Sequence, residues 1–303
     1  MPNHTFTLVL NAGRSGSSFL AWLLEANYPG ERLVLHEGIP VQVSKPRVHN
    51  RAYDPASLQS ALNDSALAPY LADWQKKLAT TDIIETGWTA SHLAPVLHHH
   101  LGDHLRLVIL HRDPVSFAFS RANMGNYHPQ SFYDDAHEVS PFDPRSIAPE
   151  FRDRWSAMNP FEKCLFWWFV VYRESFEFHE KNPSIPCLVL NSADLFSFRR
   201  VPELLRFLGL DETRLRHRDV PKNELPRFAK ETFPVRDEWR AWNRHPEILA
   251  LAESIGHRFD SADIEKQSTK YHLPPGLGPR LRHATGYWIL KKRVKSFLTG
   301  TCR

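Results

Sequence analysis

A short loop rich in glycine and serine, Asn11–Ser18 (NAGRSGSS), lies between an apolar run and a helical pattern. Glycine lets the backbone curl until successive N–H groups point at one anion, and the helix that begins near Ser17 adds the positive end of its dipole. Arg14 brings a permanent charge, and the serines can donate hydroxyl hydrogen bonds. The loop therefore predicts a phosphate or sulfate site formed by Gly13, Arg14, Ser15, Gly16, Ser17 and Ser18.

This loop differs from the Walker sequence of ATP-hydrolysing proteins. A Walker loop has a lysine directly after its second glycine, whereas here Ser17 follows Gly16. Magnesium-dependent ATP hydrolysis is therefore disfavoured, although a P-loop nucleotide kinase or NTPase remains the competing enzyme class. The loop would also suit a non-catalytic nucleotide-binding protein, or it could be a turn that merely begins a helix.

A second cationic group follows the apolar run at residues 105–111 (LRLVILH). Arg112 comes directly after this run, Asp113 is a natural helix cap, and Pro114 suits the first helical position. Because the carboxyl ends of parallel strands lie at one edge of a sheet, Arg112 is expected beside the first loop. A second anion could bind there, and a capped helix with an incidental arginine is the structural alternative.

In order and spacing, the two segments resemble the sulfotransferases that use 3′-phosphoadenosine 5′-phosphosulfate (PAPS). In that family an Arg or Lys precedes a Ser-Gly-Ser-Ser or Ser-Gly-Thr-Thr run, as Arg14 does here. The Arg of an Arg-Asp-Pro and a serine eight residues later hold the 3′-phosphate of the donor, which is the spacing of Arg112 and Ser120. LVLNSADLF and VPELLRFLGL also resemble a later strand, turn and helix of the family, with Ala193 in place of the usual acidic residue. The resemblance covers about residues 5–260, in the style of carbohydrate and bacterial sulfotransferases.

The resemblance implies transfer of a sulfuryl group from PAPS to a hydroxyl or amine, with adenosine 3′,5′-bisphosphate as the product. The expected acceptor is a carbohydrate, a glycolipid or another small molecule, no metal is expected, and Arg14 would neutralise charge on the sulfuryl group. The acceptor must lose a proton, so a base is expected near the sulfur. Glu37 resembles the glutamate base of some carbohydrate sulfotransferases, and His36 is its immediate alternative. Glu85 and His92 are further candidates.

These residues need a scaffold, and five apolar runs that alternate with helical patterns predict one. Continuous apolar strands are typical of parallel sheets covered on both faces, so we predict an α/β three-layer sandwich with a mainly parallel sheet. By resemblance it would be the P-loop-like sulfotransferase fold. Residues 122–160 are predicted as a long lid or acceptor-binding excursion, and residues 237–260 resemble the last helix of the family. The five runs are residues 6–11, 32–38, 81–87, 105–111 and 186–191.

Composition adds further expectations. The 303 residues carry a formal charge of +4, which implies no nucleic-acid partner. Cys164, Cys187 and Cys302 form no close pair, and neither a signal peptide nor a membrane-spanning run is visible, so a cytoplasmic protein is expected. We predict a sulfotransferase domain at residues 1–265 and a basic, aromatic extension at 266–303. That extension could be a surface helix, a peripheral membrane contact or a docking element, and the sequence does not indicate the oligomeric state.

Overall fold

The computed structural model describes residues 4–41, 43, 55–129, 138–142, 146–216, 235 and 237–271. The chain divides into two compact units. The first comprises Met1–Arg112, Val139–Asp153 and Trp168–Asn223, and the second comprises Asp113–Glu138, Arg154–Trp167 and Glu224–Arg303.

The five predicted apolar runs all contain strands, and together they form one sheet in the first unit. Its order is β2-β3-β1-β4-β5, and every neighbouring pair is parallel. After β1 the chain forms β2 and β3 on one side of β1, and it then crosses to form β4 on the other side of β1. The strand order therefore reverses between β1 and β4, and in open parallel sheets such a point, at the carboxyl ends of the strands, is where ligands commonly bind. The strands are β1 (Phe6–Leu10), β2 (Leu33–Leu35), β3 (Ile83–Glu85), β4 (Leu105–His111) and β5 (Cys187–Asn191).

The described helices include ten α-helices. They are α1 (Ser17–Asn27), α2 (Pro55–Leu62), α3 (Ala68–Leu78), α4 (Ala94–Leu101), α5 (Pro114–Asn123), α6 (Pro160–Lys181), α7 (Ser192–Phe196), α8 (Val201–Phe207), α9 (Pro246–Ser254) and α10 (Ser261–Tyr271). Short 3₁₀ helices span Trp88–Leu93, Pro149–Phe151 and Glu238–Ala241, among others. None of the helices in the described ranges has the length and apolar character needed to cross a membrane.

Helices cover both faces of the sheet, which confirms the predicted three-layer α/β sandwich. Side chains alternate along a strand, so neighbours such as Val9 and Leu10 face opposite layers. Val9 packs in a buried cluster with Leu20 of α1 and Leu204 of α8. Leu10 instead lines a cavity with residues of α4 and α6. The apolar, aromatic segment predicted as a core helix is α6, in which Trp167 and Trp168 are fully buried.

The second unit begins with the predicted cap of α5. Asp113 accepts a hydrogen bond of 2.7 Å from the backbone N–H of Ser116, and Pro114 occupies the first turn. Phe119 of α5 stacks on Tyr271 of α10, with ring centroids 5.1 Å apart, and Ser116 bonds to Gln267 of α10 at 2.9 Å. Residues 266–271 of the predicted extension thus belong to a helix packed inside this unit. The rest of that extension, with Cys302, lies outside the described residues.

The last predicted helix is not continuous. Residues 237–260 instead form the 3₁₀ helix Glu238–Ala241 and then α9, which begins at Pro246. A proline has no N–H to donate and disfavours helical backbone in the residue before it, and His245 accordingly has φ −122° and ψ 83°. Pro246 therefore begins a new helix and cannot continue the preceding one.

Candidate anion-binding site

The loop between β1 and α1 has an unusual backbone. Gly13, Arg14 and Gly16 have φ angles of 76°, 53° and 93°, all in the left-handed region. For a residue with a side chain, such as Arg14, this conformation costs about 1 to 2 kcal/mol. Left-handed residues in a turn direct successive N–H groups into one concavity, which is the geometry of an anion nest. At position 16 the positive φ is what favours glycine, because a Cβ there would meet only Cζ of Phe196, the end of an exposed side chain that can shift.

Asn11 fixes the start of this loop. Its Nδ2 donates to the carbonyls of Val9 (2.9 Å) and Thr86 (3.1 Å), while its Oδ1 accepts the N–H of Gly13 at 2.9 Å. Ser91 Oγ bonds to both the N–H and the carbonyl of Asn11, at 2.9 and 3.0 Å. The loop is therefore held to β1 and to the segment after β3. Neither Asn11 nor Ser91 was predicted as a site residue. For Asn11, the available signal was an uncharged amide directly after an apolar strand.

Ser15 is buried with 0% exposure, and its hydroxyl is used inside the fold. Its Oγ lies 3.0 Å from the carbonyl of Gly13 and 2.9 Å from Oη of Tyr172, which itself donates to the carbonyl of Leu110. Burial raises the pKa of Tyr172 to about 12, so this phenol stays protonated as a donor. The expected hydroxyl contact of Ser15 with an anion is therefore not available in this arrangement, because its single hydrogen serves an internal bond.

Replacing Tyr172 by phenylalanine should lower the free energy of unfolding by about 1 to 2 kcal/mol, because the buried Ser15 hydroxyl and Leu110 carbonyl each lose a partner. Denaturant unfolding at pH 7 measures this change. Tyr28→Phe is the matched control: its Oη donates to the carbonyl of exposed Asp211, where water can substitute. Equal losses in the two variants would contradict the bracing role of Tyr172.

Arg112 reaches the same loop from the end of β4. Its Nη1 donates to the carbonyl of Arg14 at 2.9 Å, and its own carbonyl accepts Nε1 of Trp168 at 2.7 Å. The structure thus brings the guanidinium of Arg112 to the backbone of Arg14, and the sequence predicted these two residues at adjoining strand ends. Two permanent cations at one loop make a site suited to an anion with more than one negative charge.

Ser18, in the first turn of α1, connects the loop with the end of β2. Its Oγ lies 2.9 Å from Nε2 of His36, and Nδ1 of His36 lies 2.9 Å from Oγ1 of Thr86. The Thr86 hydroxyl donates its one hydrogen to the carbonyl of Leu35, at 3.0 Å. Nδ1 of His36 must therefore carry the ring hydrogen, and the lone pair of Nε2 faces Ser18.

This histidine is held in its neutral form. Partial loss of contact with water lowers the pKa of His36 below its ordinary value, although the charges of Glu37 and Glu25 oppose the shift. A neutral imidazole nitrogen directed at the first turn of α1 can accept a proton from a group that approaches the loop.

The other candidate bases lie in different surroundings. Glu37 is exposed and has left-handed backbone, with φ 58°. Glu85 is 0% exposed, so it has no direct access to an acceptor. His92 is 3% exposed, its Nδ1 lies 3.4 Å from Oε2 of Glu174, and both line a cavity of about 90 Å³ with Pro95 and Phe178.

The remaining predicted site residues are buried in helices. Ser17, the first residue of α1, is 4% exposed. Ser120 lies in α5 of the second unit and is 3% exposed. Beside it in sequence, Arg121 stacks on Trp167, with its guanidinium 4.1 Å from the ring centroid.

No protein-family model matches the chain, and no curated protein is similar enough in sequence to count as a relative. Among solved structures, the sulfotransferase domain of the Synechococcus olefin synthase is 16% identical, covers 90% of this chain and 96% of its own, and has a TM-score of 0.40. The sulfotransferase domain from the curacin biosynthetic pathway is 15% identical, with coverage of 90% and 100% and a TM-score of 0.44. A sulfotransferase from Alicyclobacillus acidocaldarius is 18% identical, with coverage of 86% and 98% and a TM-score of 0.44. These similarities are too weak to decide what the site does.

Proposed function

We propose that this chain is a sulfotransferase that takes its sulfuryl group from PAPS. The observation that carries the proposal is the contact of Arg112 with the carbonyl of Arg14, because it brings the guanidinium of Arg112 to the backbone of the left-handed loop that carries Arg14. The donor is a nucleotide with negative charge at both its 5′-phosphosulfate and its 3′-phosphate. Arg14 would bind the phosphosulfate with the loop N–H groups, and Arg112 would attract the second anionic group.

The chemistry would be an in-line displacement. The acceptor oxygen or nitrogen forms a bond to sulfur, while the bond from sulfur to the bridging oxygen of the phosphosulfate breaks, and adenosine 3′,5′-bisphosphate leaves. Negative charge develops on the bridging oxygen, where Arg14 would stabilise it. The residues described here supply this stabilisation through a guanidinium and backbone N–H groups.

The proton of the acceptor would pass to Nε2 of His36. Ser18 bonds to this nitrogen in the structure, and an incoming phosphosulfate offers the Ser18 hydroxyl a more strongly accepting oxygen. The lone pair of His36 would then be available to the acceptor. Glu37, exposed and next in sequence, is the alternative base.

Binding of the reaction product tests the proposal without knowledge of the acceptor. Adenosine 3′,5′-bisphosphate at about 100 times its dissociation constant should stabilise the protein by about 2.7 kcal/mol, and AMP at the same concentration by much less. Thermal unfolding with each nucleotide measures the difference. Stronger stabilisation by ATP with Mg²⁺ would favour a nucleotide kinase or NTPase. A bisphosphate preference with no transfer to any acceptor would favour a non-catalytic binding protein.

The acceptor we propose is a hydroxyl or amine of a carbohydrate, a glycolipid or another small molecule. Labelled PAPS offered with panels of these acceptors would identify the class through the labelled product. A panel in which none of these compounds accepts label would exclude this assignment.

A further inference from the structure

The buried carboxylate of Glu85 is enclosed by backbone N–H groups. Its Oε1 accepts the N–H of Glu37 at 3.2 Å and that of Gly87, and its Oε2 accepts the N–H of Gly38 at 3.0 Å. Two of these donors are consecutive residues of the turn after β2, and Glu37 has the left-handed backbone that forms an anion nest. The turn thus binds a side chain of this same protein, from the end of β3.

Two glycines make this close approach possible. A Cβ on Gly87 would lie 2.2 Å from the backbone nitrogen of Glu37, and a Cβ on Gly38 would lie 2.5 Å from Oε2 of Glu85. Real Cβ atoms do not come so close to backbone or carboxylate atoms, so a side chain at either position would displace the turn.

The same turn carries His36. The parallel ladder pairs Leu35 with Glu85, and the next residue, Thr86, donates its N–H to the carbonyl of Leu35 at 2.9 Å and bonds to Nδ1 of His36. Glu85 therefore holds the turn on one side of His36, and Leu35 and Thr86 hold it on the other. These contacts together direct Nε2 towards Ser18.

We propose that Glu85 is a positioning residue, whose carboxylate binds the turn Leu35–Gly38 so that the imidazole of His36 faces the anion loop. The positioning is a property of this structure by itself; only its catalytic consequence rests on the proposed function. Glu85, one of the candidate bases, thus acts through its neighbours and not on the acceptor.

The protonation state of Glu85 should control how tightly the turn is held. Burial raises its pKa to about 7 from 4.5, and the nearby charge of Glu37 adds to the rise, while the three N–H donors oppose it. The ionised carboxylate can accept all three hydrogen bonds, whereas the protonated form turns one oxygen into a donor. Because the folded state keeps this proton more tightly than the unfolded state, the stability that comes from the proton is full below pH 4.5 and is lost as the pH rises through 7. The three hydrogen bonds that hold the turn belong instead to the ionised form, which becomes the main form above pH 7.

A titration of the full chain without ligand, followed by ¹⁵N–¹H NMR, tests the contacts directly. The amide signals of Glu37, Gly38 and Gly87 should move with one common midpoint near pH 7, because all three donate to the same carboxylate. This measurement needs no variant. Three unrelated midpoints for these amides would overturn the proposal.

The variant Glu85→Gln separates positioning from general stability. It should abolish the common midpoint and shift the pKa of His36 back towards 6.5, since a looser turn exposes further a ring that is only partly shielded from water. Glu180→Gln, at an exposed position of α6, is the matched control and should change neither signal. An unchanged His36 titration in Glu85→Gln would also refute the positioning role.

Nucleotide binding distinguishes this proposal from the proposed function. Adenosine 3′,5′-bisphosphate should bind Glu85→Gln as tightly as it binds the parent protein, because Glu85 has no exposed surface. A loss of that affinity in Glu85→Gln would show that the carboxylate supports the anion loop and not His36 alone, contrary to the proposal. If the parent protein shows no bisphosphate preference, the proposed function fails, while the NMR result still decides the role of Glu85.

Discussion

Replacing Arg14 by alanine should reduce the rate of sulfuryl transfer by about 10²- to 10³-fold, the usual cost of removing one group that stabilises developing charge. The guanidinium is the charged side chain of the loop that begins α1, and alanine leaves the backbone carbonyl that Arg112 binds. The fold should therefore remain, and the loss should appear in turnover. Transfer of label from PAPS to a screened acceptor, under saturating donor, measures it.

A glycine at position 14 provides the matched control. Arg14→Ala removes the charge but keeps a Cβ at φ 53°, whereas Arg14→Gly removes both the charge and the backbone strain. We expect equal losses of transfer in the two variants, with Arg14→Gly more stable than Arg14→Ala by about 1 kcal/mol. Near-normal transfer in either variant would show that the charge at position 14 is not needed.

Replacing Arg112 by glutamine should weaken binding of adenosine 3′,5′-bisphosphate about 10- to 150-fold, which corresponds to the 1.5 to 3 kcal/mol typical of a hydrogen bond to a charged group. AMP lacks the second phosphate, so its affinity should change much less. The preference of the protein for adenosine 3′,5′-bisphosphate over AMP should therefore fall. Isothermal titration calorimetry with both nucleotides measures the ratio of the two dissociation constants.

Arg106→Gln is the control for Arg112→Gln, because it removes the same type of bond elsewhere on the same strand. Arg106 donates to the carbonyl of Phe207 at 2.7 Å and lies over the Phe207 ring, away from the carboxyl end of β4. Its replacement should leave the nucleotide preference unchanged. If both variants lose the preference equally, Arg112 supports the fold and does not select the ligand.

The strands and the cationic residues were predictable because they depend on local sequence. A parallel strand covered on both faces must be apolar over most of its length, as LRLVILH is from Leu107 to Leu110, and Asp113-Pro114 is a cap that acts within one turn. By contrast, Asn11, Tyr172 and Glu85 act through partners up to 157 residues away, as in the bond between Ser15 and Tyr172. The sequence beside Tyr172 and Glu85 does not mark these contacts, and for Asn11 only its position directly after an apolar strand does.

The break before α9 and the helix α10 were missed for local reasons. Residues 237–260 were predicted as one helix by resemblance to the last helix of the family, whereas Pro246 begins a separate helix. In α10, SADIEKQSTKY is mostly polar, and the few side chains buried along it include Ile264 and Tyr271. So narrow an apolar stripe gives a weak periodic signal.

The bonds of Asn11, Ser91 and Arg112 shape the loop around Arg14 entirely through contacts within the chain. A ligand would therefore meet a preorganised receptor and would lose little chain entropy on association. The protein would then select among nucleotides by how well their charge and shape match the loop as it already stands. The left-handed backbone of Arg14 is part of that arrangement, because its energetic cost is incurred when the chain folds and not when the ligand binds.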